Sequence, residues 1–316
     1  MNGILRNAMA CAGAVVGAGF ASGREITAFF SRFGMHSWWL IALAALLMSW
    51  LCKRCMQPQM WKNQGLFGRI CVFILLVVTG GAMTAAAGQM IALMWGSEWA
   101  YSVGSAGTLM AAWLLSFCKT RVFGWLGSVL STLLMLALVI CLTMIPKAEG
   151  ALIGSCGSLV IGAVKAAGYA AMNITLASGM IRRCARSDEK ANQNTARIFG
   201  LVMALMLGAS NMLYLRHPQL WNEAFPIVRL LSRFGRNGFV LSVTLLYLAI
   251  LTTLVAVMGA LNDTVEASIP NRRLRFCLAL GLPLGLSFAG FSQIVETVYA
   301  PAGWLCLFLC FGRSKT

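Results

Sequence analysis

The chain has 316 residues, of which 59% are hydrophobic and 11% charged, against about 25% charged in an ordinary soluble domain. A soluble core has no use for that much apolar surface, so a soluble globular domain is excluded. The net charge of +16 would suit nucleic acid, but the basic residues stand between apolar runs, where they act as topology signals, and no nucleic-acid partner is expected.

About 20 apolar residues at 1.5 Å rise cross a hydrocarbon layer about 30 Å thick. Ten such spans are predicted, at about 5–30, 36–52, 68–94, 101–118, 122–145, 153–181, 197–215, 238–262, 275–291 and 294–312. They leave no room for a separate soluble domain, so residues 1–316 read as one all-α transmembrane domain in contact with the lipid bilayer. Most of the 25 Lys and Arg fall on one side of this arrangement, among them Arg6, Lys53, Arg54, Lys62, Lys119, Arg121, Arg182, Arg183, Arg272, Arg273, Arg313 and Lys315. That asymmetry predicts a multi-pass protein of the inner (cytoplasmic) membrane with both termini cytoplasmic. Arg6 before an apolar stretch also resembles a signal peptide, but the glycines and the Arg24-Glu25 pair suit a functional first span better.

Span 1 contains Gly13, Gly17, Gly19 and Gly23 within eleven residues. Glycine lets a helix open and turn backbone groups toward a ligand, and such unwound backbone is tolerated at membrane depth beside protein or a cavity. The Gly13-xxx-Gly17 and Gly19-xxx-Gly23 spacings also permit close helix packing. Span 6 is interrupted in the same way, by Gly154, Gly157, Gly162 and Gly168, followed by the polar Tyr169 and Asn173. Ten spans divide into halves of about 1–146 and 150–316, and Gly-interrupted spans opening both halves point to an inverted-repeat transporter.

Between spans 7 and 8, residues 216–237 carry Arg229, Arg233 and Arg236 beside Phe225, Ile227, Leu230, Leu231 and Phe234. The spacing predicts an amphipathic helix on or plugging an outer surface. Eleven cysteines lie mostly inside spans, where Cys behaves as a small hydrophobe. Cys52 and Cys55 form a lone CxxC without a second pair or nearby histidine, and His36 and His217 stand apart near span ends; no metal or redox centre is expected.

The segment GAVVGAGFASGREI at 13–26 resembles the first helix of YkvI-like membrane proteins, relatives of the LeuT-type transporters of the amino acid–polyamine–organocation superfamily. Tyr169-Ala-Ala-Met-Asn173, Leu251-Thr-Thr253 and Val298-Tyr-Ala-Pro-Ala-Gly303 fall where that family has its sixth-, eighth- and tenth-helix motifs. The resemblance covers nearly the whole chain. It implies two inverted five-helix repeats with broken helices 1 and 6 around a central site.

By the same resemblance, a sodium ion would lie between helices 1 and 8. Its ligands would be the carbonyls of Gly13, Val16 and Ala249 and the hydroxyls of Thr252 and Thr253. The i, i+3, i+4 spacing of the last three puts them on one helical face, although paired threonines in membrane helices commonly bond their own i−4 carbonyls. The solute would meet the backbone of Gly17, Ala18 and Gly19, with Tyr169, Asn173 and the hydroxyl of Thr84 lining the pocket. For Tyr169 and Asn173, interhelical hydrogen bonding is the alternative use.

Charges within spans face a partner or water, because each costs at least about 2.5–3.5 kcal/mol in hydrocarbon. Four stand within or close to spans: Arg24, Glu25, Lys165 and Glu296. Related carriers close an outer gate with an ion pair between helices 1 and 10. The expected pairs are Arg24–Glu296 and, beside it, Glu25–Lys165; static structural pairs are the alternative.

No GxxxxGK[ST] loop is present, so ATP does not power the chain directly. The sequence therefore reads as a secondary transporter of an amino acid or similar small zwitterion, by sodium symport and alternating access, without a cofactor beyond the coupling ion. Proton coupling, or a sensor or assembly partner that binds without flux, are the alternatives. A membrane enzyme would need a nucleophile and base, paired carboxylates or a metal cluster, and no catalytic residues are assigned.

Overall fold

Backbone surrounded by lipid has no water to bond, so long apolar runs satisfy it as helices. The computed structural model describes residues 2–57, 66–117, 157–266 and 270–311, with parts of 129–144. All regular structure among these residues is helical. The predicted span at 122–145 lies largely outside them, as do Lys62, Lys119, Arg121, Gly154, Arg313 and Lys315.

The N-terminal third runs α1 (Asn2–Val15), α2 (Ala18–Ser22), α3 (Arg24–Phe29), a 3-10 segment (Ser31–His36), α4 (Ser37–Cys55), α5 (Leu66–Trp95) and α6 (Glu98–Ser116). After residue 157 come α7 (Leu159–Cys184), α8 (Glu189–Arg216), the short α9 (Pro226–Leu231), α10 (Gly235–Glu266) and α11 (Arg272–Phe276). The chain ends with α12 (Leu282–Ser287), α13 (Phe291–Gln293), a π-helical turn (Ile294–Val298) and α14 (Tyr299–Phe311).

Among the described residues, five helical stretches are long and apolar enough to cross a membrane: Ser31–Cys55, Leu66–Trp95, Leu159–Cys184, Glu189–Arg216 and Pro226–Glu266. A sixth crossing is formed if Arg273–Ser287 and Phe291–Leu307, which meet at 96°, are one broken span. The bend falls at Gly290, whose φ of +83° suits glycine. Large apolar side chains such as Trp39, Leu46, Leu201 and Leu205 are exposed, as a lipid-facing surface requires.

α5 lies at the centre and packs against α6, α10, α12 and α14, while α7 packs against α4, α14 and α1. α1 and α2 are enclosed by α7, α8 and α10. Helix 1 is interrupted at Val16–Gly17, where the glycine-rich pattern placed a break.

The matching expectation for the sixth span is corrected: α7 runs unbroken from Leu159 to Cys184. Its glycines make room for neighbours instead of opening the helix. A methyl on Gly168 would stand 2.9 Å from the Ala300 carbonyl, and one on Gly303 would overlap the Gly168 carbonyl. Gly162 faces Leu40. The Trp304 indole donates to the Val164 carbonyl at 2.9 Å, so α7 and α14 meet at backbone distance, the small-residue packing of membrane helices. Asn173 stays within the helix, its amide donating to the Tyr169 carbonyl at 2.9 Å.

Candidate functional site

The break in helix 1 changes where its amides point. Gly17 is extended, with φ −93° and ψ −172°, and its N–H turns to the Val15 carbonyl at 2.9 Å. The Gly13 carbonyl thereby loses its usual i+4 donor. The next amide, Ala18 N–H, approaches Thr253 Oγ1 on α10 at 3.4 Å. α2 then ends on Gly23, left-handed at φ +84°, where α3 begins. A methyl on Gly23 would overlap the Tyr214 hydroxyl, so the turn needs glycine for both its dihedral and its space.

A cavity of about 390 Å³ lies along this break. Gly13, Val16, Gly17, Ala18 and Gly19 form one side, and Ala249, Thr252 and Thr253 of α10 form another. Asn173 of α7, Thr79 and Met83 of α5, and Glu25 and Tyr299 complete its upper part. At the opposite end it extends past Ala10, Ala177 and Ala260 to exposed Met180 and Arg183.

The five residues expected to hold sodium are thus brought to one cavity. The Thr252 and Thr253 hydroxyls both donate to the Ala249 carbonyl of their own helix, at 3.0 and 2.9 Å. Of the expected solute residues, Gly17, Ala18, Gly19 and Asn173 line the cavity. Tyr169 lies behind its wall, fully buried, with its ring centroid 5.2 Å from those of both Phe29 and Phe30.

Thr84 is corrected. Its hydroxyl donates to the Gly80 carbonyl at 2.7 Å, away from the cavity. The threonine of α5 that lines the cavity is Thr79, whose hydroxyl is buried and without a hydrogen-bond partner among the described residues. Five residues along a helix amount to about 140° of rotation, so only one of the two threonines points inward.

Beyond the Glu25 and Tyr299 end of the cavity lies a cluster of ion pairs. The Arg24 guanidinium pairs with the Glu296 carboxylate and donates to the carbonyls of Trp221 at 2.7 Å and Glu223 at 3.1 Å. Arg32, a residue the sequence did not single out, reaches the same Glu296 oxygen at 2.8 Å and bonds Trp221 O and Asn222 Oδ1. The connection between α8 and α10 supplies these carbonyls. It is held down by buried Ile227, Leu230 and Leu231 and by Phe225, stacked on Phe291 at 5.4 Å. The apolar side of this plug-like connection is buried, in line with its amphipathic pattern.

The Glu25–Lys165 pair is not formed. Lys165 Nζ lies over the Phe33 ring, 6.0 Å from its centroid, whereas Glu25 turns inward beneath Gly19. Consecutive residues on a helix diverge by about 100°, so Arg24 faces the plug and Glu25 the cavity. The Tyr169 and Tyr299 hydroxyls lie within electrostatic reach of Glu25. Both are buried and short of good hydrogen-bond geometry. Tyr299 belongs to the motif at 298–303, so a signal for it was present in the sequence.

No family model matches the chain. It is 23% identical over 321 residues to the uncharacterized membrane protein YkvI of Bacillus subtilis (strain 168), an alignment covering 93% of this chain and 90% of that protein. This likeness and the long apolar helices agree on a multi-pass membrane protein in contact with the bilayer.

Proposed function

We propose that the chain is a secondary transporter of a small zwitterionic solute such as an amino acid, working by alternating access around the cavity at the helix 1 break. The observation that carries this reading is a cavity built on interrupted backbone that reaches exposed Met180 and Arg183 at one end. Its volume is at the small end of ligand sites, which run to about 300–1,000 Å³. Arg24, Glu296, Arg32 and the plug form the outer gate in this account. The cavity's other end reaches Arg183, one of the basic residues that the positive-inside rule assigns to the cytoplasm, and in this account the conformation is the inward-facing one. The chain has the LeuT-type arrangement of ten crossings in this reading, with an unbroken helix 6 as its departure.

Sodium is the coupling ion, held by oxygens of Gly13, Val16, Ala249, Thr252 and Thr253. Five neutral oxygens suit a hard monovalent ion, and the Gly13 carbonyl has lost its i+4 donor at the break. A proton-driven variant is favoured by one observation: both threonine hydroxyls already donate to the Ala249 carbonyl, a closed arrangement that stands without an ion.

Thermal stability of the purified protein across a panel of amino acids, in sodium or in potassium at equal ionic strength, tests the reading. A ligand that binds only the folded state adds about 2.7 kcal/mol at a hundredfold excess over Kd. A sodium-specific rise, lost in Thr252→Ala plus Thr253→Ala and extended by one amino acid, is the expected result. A solute-induced rise that follows pH instead of sodium would replace sodium by protons, and no response to any amino acid would remove that cargo class.

A further inference from the structure

Glu25 is the carboxylate of this cavity without a cationic partner. It is 6% exposed, and no Lys, Arg or His among the described residues pairs with it. Arg24 is committed to Glu296 and to two carbonyls, and Lys165 lies over Phe33. The carboxylate rests against Gly19, where any side chain would overlap it. A buried charge is tolerated when a cation, water or a proton satisfies it. The Tyr299 hydroxyl, buried and without a hydrogen-bond partner among the described residues, belongs to the same cavity wall, and the Tyr169 hydroxyl approaches the carboxylate from behind that wall.

Other acceptors in this cavity are weaker or spent. α7 is unbroken, so its carbonyls bond along their own helix, and the Ala249 carbonyl already receives two hydroxyls. We propose that Glu25 receives the positively charged ammonium group of the solute, with the Tyr299 hydroxyl oxygen on the same cavity wall as the accessory acceptor. An ammonium group carries three donors and no acceptor, which matches a carboxylate beside a phenol oxygen. A charge-assisted contact of this kind is stronger than one between neutral groups. The site selects protonated amines and rejects their N-acylated forms. The inference rests on the carrier reading above and names the solute class within it.

The test uses the full chain, purified in detergent at pH 7.5 and constant sodium. The probes are L-alanine, L-serine, L-leucine, ethylamine and propylamine, each beside its N-acetyl counterpart. Ligand-induced changes in melting temperature are read within each variant, so that any baseline change from removing a buried charge drops out. Free amines should raise the wild-type midpoint and the N-acetyl forms should not. Glu25→Gln should weaken amine binding by about tenfold or more, and Glu25→Asp should lie between. Gly19→Ala, which keeps the charge but displaces it, should also weaken binding.

The proposal is overturned if no free amine shifts the wild type, if N-acetyl forms shift it equally, or if Glu25→Gln responds to amines as the wild type does. It is also overturned if the Glu25-dependent response belongs to sodium or to pH alone, which would give the carboxylate to an inorganic cation or a proton. Amine binding without flux in liposomes would keep this site and sink the carrier reading. Flux of a solute lacking an amine would do the reverse.

Discussion

Glu296 is shared by two guanidiniums: Arg24 contacts its Oε1, and Arg32 reaches the same oxygen at 2.8 Å. One carboxylate therefore ties α3, the 3-10 segment after it and the turn before α14 to the plug. Removing that carboxylate leaves two cations facing one another, which is worse than removing either cation. Glu296→Gln should cost about 2–4 kcal/mol, below the largest values for fully buried pairs because Glu296 keeps some exposure; Arg32→Gln should cost under about 1 kcal/mol. Thermal midpoints of the purified variants check the ranking. Arg24→Glu combined with Glu296→Arg should recover part of what each reversal loses, but not all of it, because Arg32 would then face an arginine. Absence of any rescue would count against direct pairing.

The contact between α7 and α14 is backbone on backbone, so rotamer changes do not relieve it. Gly303→Ala would press a methyl on the Gly168 carbonyl and is expected to destabilise by about 1–3 kcal/mol. Gly281→Ala, where the added methyl meets nothing within 4 Å, should stay within about 0.5 kcal/mol. Equal melting temperatures for the two variants would show that the helices do not approach this closely.

His217, just beyond α8, is buried, and neither ring nitrogen has a hydrogen-bond partner among the described residues. Burial, with Arg233 and Arg216 nearby, holds its pKa below the ordinary 6.5. The unfolded chain therefore binds a proton before the folded chain does. This contribution to stability is complete above about pH 6.5 and is lost as pH falls below it, by at most about 1.4 kcal/mol per pH unit. Melting temperature between pH 7.5 and 5.5 should fall more steeply in the wild type than in His217→Gln. Parallel slopes would remove His217 as the cause.

Much of this layout was legible in the sequence, because apolar length dictates helices wherever backbone meets lipid. Five of the predicted spans coincide with helices long and apolar enough to cross a membrane, the last two form one pair bent by 96°, and the span at 122–145 lies largely outside the described residues. The break in helix 1 was readable from four glycines in eleven residues. The same pattern misled at span 6, because a glycine that loosens a helix and one that admits a neighbour look alike. What distinguishes them is Gly303, 135 positions from Gly168 and invisible to any local window. Arg24 and Glu296, 272 positions apart, were linked through a family resemblance, whereas Arg32 fell between two spans and carried no pattern. Finding Thr79 in place of Thr84 on the cavity side needs the rotational phase of α5, which a helix apolar nearly all round does not disclose.

Flux through the cavity tests the central claim most directly. The protein is reconstituted in liposomes, and uptake of labelled amino acids is followed with an inward sodium gradient and without one. A second preparation carries Ala256→Trp, which fills the cavity wall on α10. The account predicts saturable uptake of at least one amino acid, accelerated by the sodium gradient and abolished by the tryptophan. Saturable binding of an amino acid with no uptake under any gradient would contradict it and make the chain a sensor or assembly partner that kept a transporter's fold.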